Sequence, residues 1–231
     1  MRRIFLGSPS RWMSIFLLGF AMEAFPQGSY DTIPDNPEHY RQRVEHFKKE
    51  AVGSGKIVFI GENFTEGGNW RRLLKDSSVL NRGISGDKTY GVLQRLDEVI
   101  KHKPSRLFLL IGSNDLASNT PNGVIIENIF AIVGKVRTAS PKTLIYVQGI
   151  LPVNPTVKDF PKAYGREQDI LDINKQLSKY SDVLKYTYLD LHGALSDGKG
   201  LLDQRFTTNG LYLNAAGYVH WVEFLKKGKY L

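Results

Sequence analysis

The sequence predicts an α/β domain, a three-layer α/β/α stack on a five-stranded parallel sheet in flavodoxin-like strand order. Three observations point there. Five short apolar runs recur along the chain, amphipathic stretches of helical period separate them, and four of the five segments that follow the runs contain glycine. Short apolar runs alternating with amphipathic helices are the pattern of a parallel sheet buried on both faces.

The chain of 231 residues opens with "MRRIFLGSPSRWMSIFLLGFAMEAFPQ". Arg2, Arg3 and Arg11 precede or flank an apolar run over 13–21, and the small Ala24 follows. That is the layout of a secretory signal, and the run is too short to span a bilayer. Residues 1–26 are therefore expected to be a signal segment. They predict export to the periplasm or beyond, with no stable membrane span once they are removed. Residues 27–55 read as a lead-in, polar over 27–36, then helical through "NPEHYRQRVEHFKKE" with Asn36 as N-cap and Pro37 in the first helical position.

Residues 56–231 read as a single domain. Its strands are "KIVFIG", "SVLNRG", "SRLFLLIG", "TLIYVQGI" and "LKYTYLDL". Helices are expected over 69–75, 89–102, 121–138 and 166–180, and "LNAAGYVHWVEFLKK" closes the chain as an amphipathic helix. One connection is long and irregular. "LPVNPTVKDFPKAYG", with Pro152, Pro155 and Pro161, reads as a lid or binding loop.

Composition removes several classes of function. With no cysteine, the chain has no disulfide, thiolate chemistry, cysteine-ligated zinc or lipid-carrying cysteine. The net charge is +8; the first 24 residues hold three arginines and one glutamate, so the remainder carries about +6. The basic residues are scattered, with no stripe interleaved with aromatics, so no nucleic-acid partner is expected. No spacing of carboxylates and histidines suggests a metal, and no cofactor motif is present.

In open parallel sheets, ligands bind beyond the carboxyl ends of the strands. The residues to read are Gly61-Glu62-Asn63, Gly83-Ile84-Ser85-Gly86-Asp87, Gly112-Ser113-Asn114-Asp115, Gln148-Gly149 and Asp190-Leu191-His192. In this order, with "NRGISGDKTYGVLQRLDEVI", "LFLLIGSNDL" and "NGLYLNAAGY", they resemble the SGNH (GDSL-type) hydrolase family, particularly its secreted bacterial acyl-esterases. The resemblance runs from about Lys56 to the C-terminus. It implies the SGNH-hydrolase type of α/β/α fold and an esterase site built from a Ser–His–Asp triad and an oxyanion hole. On that resemblance the Ser position is Asn63, the Asp position Asn209 and the His position Tyr212. The hole's Gly and Asn are Gly86 and Asn114.

All three triad positions are thus replaced while the hole is kept. Asn63 has no ionisable nucleophile. Tyr212, with an unperturbed pKa of about 10, is no base near neutral pH, and Asn209 carries no charge to support one. The expected function follows: a pseudoenzyme that binds a small ligand, an acylated sugar or a carboxylate, through Asn63, Gly86, Asn114 and Tyr212. One alternative is an active acyl-ester hydrolase, a carbohydrate O-deacetylase or lipase-like enzyme, with Ser85 as a relocated nucleophile. Another is a surface interaction protein with a vestigial pocket. Of the remaining polar residues, Glu62 is expected to hydrogen-bond near the site, and Asp87 to cap the helix that starts near Thr89. Asp190 should stabilise a turn, His192 should be satisfied locally, and His220 should border the core.

Overall fold

The computed structural model describes residues 32–157 and 166–231. The expected signal segment lies outside the described residues, as does 158–165, the centre of the long proline-bearing connection.

Five strands, β1 (Ile57–Gly61), β2 (Leu80–Gly83), β3 (Arg106–Leu110), β4 (Leu144–Gln148) and β5 (Thr187–Leu189), form one sheet in the order β2-β1-β3-β4-β5. Every pairing is parallel. This is the expected flavodoxin-like order, with β1 and β3 adjacent at the point where the winding reverses. Helix α1 (Pro37–Lys49) precedes the sheet; α2 (Asn63–Gly67) and α3 (Trp70–Leu74) follow β1, and α4 (Thr89–Ile100) follows β2. After β3 come α5 (Ser113–Ala117) and α6 (Asn122–Ala139); α7 (Glu167–Leu184) joins β4 to β5, and α8 (Leu191–Leu195) and α9 (Ala215–Lys227) close the chain. Helices α1, α4, α6 and α7 pack in succession as one layer, while α3, α9 and α8 make the other.

Packing explains the register. Phe59, Phe108 and Tyr146 occupy aligned positions on β1, β3 and β4 and stack at 4.7 Å between successive ring centroids. Trp70 of α3 extends the stack at 4.1 Å from Phe59, and Trp221 of α9 meets Trp70 edge-on at 4.8 Å. A shift of one residue would turn this aromatic ladder to the opposite face. The indole nitrogens are satisfied inside the core, Trp70 donating to Thr65 O at 2.8 Å and Trp221 to Gln148 Oε1 at 2.7 Å.

Helix α1 starts as the sequence predicts, with the Asn36 side chain accepting from His39 N at 3.0 Å and Pro37 next. Other details differ. The segments after β1, β3 and β5 are single-turn helices (α2, α5, α8) that the sequence reading does not assign. The last strand is shorter than the apolar run, because Lys185 ends α7 in the left-handed conformation (φ 58°) and Asp190 already caps α8. Asn209 does not lie on a helix. It sits in a tight turn closed by the bridge between Thr207 and Leu213, since its side chain accepts from Leu211 N and Tyr212 N and so holds the chain out of helical geometry. In the proline-bearing connection, Leu151–Asn154 is buried, and Asn154 N donates to Gly210 O at 2.7 Å, which binds this stretch to that turn.

Candidate functional site

Three strand ends converge. β1 stops at Gly61, where any Cβ would lie 1.9 Å from Leu110 O of β3, so only glycine lets the two strands run this close before α2 begins. α2 then presents Asn63 from its first turn. After β2 the chain turns at Gly86 with φ 78°, a left-handed conformation that aims its N–H toward Asn63. After β3, α5 carries Asn114.

The geometry is specific. Gly86 N donates to Asn63 Oδ1 at 2.8 Å, and Asn114 Nδ2 donates to the same oxygen at 3.0 Å. Both partners are donors, so the carboxamide must present its oxygen here. The second N–H of the Asn114 amide goes to Asp87 O at 2.9 Å. Both hydrogens of that amide are therefore committed.

Buried carboxyls hold this frame. Glu62, 1% exposed, lies 2.6 Å from Ser113 Oγ and accepts from Asn114 N at 3.3 Å. Burial, aided by the charge of Asp115, pushes its carboxyl up to about 8 against the Ser113 and Asn114 hydrogen bonds, so it is neutral at pH 7. Glu62 thus hydrogen-bonds as the sequence suggested, but in the core and not in solvent.

Asp87 does not cap α4. It pairs with Arg95 at 2.9 Å inside the core, where burial outweighs that guanidinium and pushes the carboxyl up to about 6. The start of α4 is capped from another element: Asp115 accepts from Thr89 N at 3.0 Å and from Thr89 Oγ1 at 2.6 Å. Burial raises the Asp115 carboxyl in spite of those bonds.

Ser85 lies beside Gly86, half-buried. Its N–H donates to Glu66 Oε2 at 2.6 Å. Glu66 is held in turn by His39 Nε2 at 3.0 Å and Arg43 Nε at 3.1 Å, both from α1. Burial works upward on Glu66, but the His39 and Ser85 hydrogen bonds outweigh it and leave the carboxyl below its ordinary value. The sequence reading missed this cluster. Its only local trace is the i,i+4 spacing of His39 and Arg43 on one face of α1.

Tyr212 is 42% exposed and approaches Phe64, the neighbour of Asn63, at 6.3 Å between ring centroids. It makes no hydrogen bond to Asn63, and its hydroxyl has no partner among the described residues. Asn209 Oδ1 is committed to Leu211 N (3.1 Å) and Tyr212 N (3.0 Å).

His192, whose ring burial holds below its ordinary pKa, lies 3.5 Å from Ser196 Oγ, and Asp190 caps α8 through Gly193 N at 2.9 Å. The His220 ring meets Ala194 O at 3.0 Å and stacks on Phe206. None of these three joins the Asn63 cluster. Near Phe64, a void of about 10 Å³ is lined by Leu116, Leu151, Val153, Ile170 and Leu211 among others. Among the described residues no group of His, Asp and Glu could hold a metal ion, and no helix is long and apolar enough to cross a membrane.

Known proteins are similar to this chain in sequence and fold. The sequence model of the GDSL-like lipase/acylhydrolase family matches residues 53–219. Over 168 residues, 70% of each chain, the sequence is 28% identical to platelet-activating factor acetylhydrolase IB subunit alpha2 of Rattus norvegicus. A Streptococcus pneumonia protein described as a platelet activating factor is 29% identical, with a TM-score of 0.73 over 82% of this chain and 90% of that one. A GDSL-like lipase from Bacteroides thetaiotaomicron, 23% identical, shares the fold with a TM-score of 0.70 over 83% and 98%.

Proposed function

The chain belongs to the GDSL-like lipase/acylhydrolase family, and from that premise we propose that it is a catalytically impaired member, an exported pseudoenzyme that binds a small acylated ligand at the former esterase site. One observation carries the reading. The side chain in the nucleophile's place is a carboxamide whose oxygen already accepts both hole donors, Gly86 N and Asn114 Nδ2. An ester carbonyl arriving there meets no nucleophile, and the Gly86 and Asn114 donors are already taken.

The other triad positions support the same reading. Asn209 and Tyr212 are tied into their own turn, and Tyr212 offers a phenol where a base would be needed. A ligand would then be read by Asn63 Nδ2 and the Tyr212 hydroxyl, which face it without prior partners among the described residues. The rat relative is an acetylhydrolase, which makes an acetylated compound the first ligand to try. The expected export rests on residues 1–26.

A second reading has one observation in its favour. Ser85 lies against a carboxylate, that of Glu66, which accepts from Ser85 N at 2.6 Å. Yet Glu66 is held below its ordinary carboxyl value, which makes it a weak base. Intact mass after treatment with a serine-directed fluorophosphonate separates the two readings. An unmodified chain that turns over no aryl acetate is expected; a stoichiometric adduct removed by Ser85→Ala overturns the pseudoenzyme reading.

A further inference from the structure

At the opposite end of the sheet lies a larger cavity. It has a volume of about 660 Å³ and sits at the amino ends of β3 and β4, between the turns at Lys103–Arg106 and Ser140–Leu144. That size is in the range of small-molecule sites. Its charged walls are Lys103, Arg106 and Lys142, and no carboxylate lines it.

None of these three cations has an ion-pair partner among the described residues, although elsewhere the surface pairs Lys135 with Asp97 and Lys48 with Glu45. Arg106 Nε is buried and has no hydrogen-bond partner. Three cations around one concavity repel one another, and a low-dielectric wall strengthens that repulsion, so an anion seated among them is favoured.

Beside Gly55, Ser105 and Ser140, the rest of the lining is apolar: Pro104, Ala139, Pro141 and Leu144. Leu144 is 53% exposed on the first residue of β4, an unusual place for an aliphatic side chain in a sheet otherwise covered by helices. It is also a wall of a second cavity of about 310 Å³, which Ile145 and Tyr186 line as well. The two concavities thus adjoin at Leu144 and make one trough, cationic at the first end, while the second end sets Leu144, Ile145 and Tyr186 among polar and charged walls that include Arg137, Asp182 and Lys185.

We propose that this trough binds an anionic amphiphile, a phosphate or carboxylate head on an aliphatic tail. The head sits among Lys103, Arg106 and Lys142, and the tail lies over Leu144. The concave shape favours a single molecule over a flat membrane surface. The site is separated from Asn63 by the length of the strands, about 15 Å, and stands whether or not the Asn63 site is catalytic.

Titration calorimetry of the full chain with dodecyl phosphate, below its micelle-forming concentration, tests the proposal alongside amide NMR. Saturable binding is expected, with shifts at Lys103, Arg106, Lys142 and Leu144 and none at Asn63 or Gly86. Inorganic phosphate and the neutral dodecyl maltoside should each bind at least about tenfold more weakly. Lys142→Glu, at an exposed position that folding tolerates, should weaken dodecyl phosphate by about tenfold or more. Binding that Lys142→Glu leaves unchanged, or shifts confined to the Asn63 face, overturns the proposal. So does sedimentation with phosphatidylglycerol vesicles without any binding of dodecyl phosphate, which would make this end a membrane-docking surface instead.

Discussion

The side-chain oxygen of Asn63 lies 2.8 Å from Gly86 N, and on the proposed reading the chain thereby fills its own oxyanion hole. In an esterase of this family that position belongs to the substrate's developing negative charge. Here a neutral carboxamide takes it, and the hole is preserved by being occupied.

Restoring the triad should therefore restore acyl transfer. Asn63→Ser removes the plug and supplies a hydroxyl, Tyr212→His a base, and Asn209→Asp its partner. The triple variant is expected to hydrolyse a small aryl acetate far faster than the parent, since each hole donor is typically worth ~10²–10³ in rate. Asn63→Ser alone should do little without a base. Tyr212 is 42% exposed, so its replacement costs little packing. A parent that equals the triple variant in rate, and loses that rate on Ser85→Ala, contradicts this account.

Emptying the hole should open an anion site. Asn63→Ala leaves Gly86 N–H and one Asn114 N–H without their partner, at a cost of about 1–3 kcal/mol. Acetate should then raise the melting temperature of the variant and leave that of the parent unchanged. Equal stabilisation of both proteins would show that the Asn63 oxygen is not what fills the hole.

Glu62 predicts a pH dependence. Its carboxyl is raised from 4.5 to about 8 in the folded protein, so between these values the native state holds a proton that the unfolded chain has lost. Stability from this group is full below pH 4.5 and is lost as pH rises toward 8, by an amount on the order of a few kcal/mol. Glu62→Gln should keep the Ser113 hydrogen bond without that loss. Thermal melts from pH 5 to 9 should fall more steeply for the parent than for the variant; parallel curves would mean that Glu62 titrates normally.

The pair of Asp87 and Arg95 is buried, and Arg95 Nη2 also donates to Gly61 O at 3.1 Å. Arg95→Leu should destabilise the fold by about 3–5 kcal/mol, because it strands Asp87 in the core. Asp87→Asn in the same background should recover part of that loss. A denaturant titration that finds Arg95→Leu neutral would assign the pair no role in holding Gly61.

Much of the architecture is legible from local pattern. Apolar runs of strand length, a cap at Asn36 and helical periodicity after each run are properties of neighbouring residues, and they suffice for the alternation and for the parallel sheet with its flavodoxin-like order. The replacement of the three triad positions by Asn63, Asn209 and Tyr212 is likewise a matter of residue identity. Other features depend on residues far apart in the chain. In sequence, Asp87 stands next to α4 as the candidate cap, and nothing local marks Asp115. Which one serves is decided by Arg95, which draws Asp87 inward, and by the placement of α5, which brings Asp115 to Thr89. Glu66 likewise gains His39 and Arg43 only because α1 packs along the edge of the domain. The residue identities on which the proposed loss of chemistry rests were thus determined by the sequence itself. That Asn63 fills the hole was decided by tertiary structure alone, because three strand ends must meet before one oxygen can accept from two donors carried on different strand–helix connections.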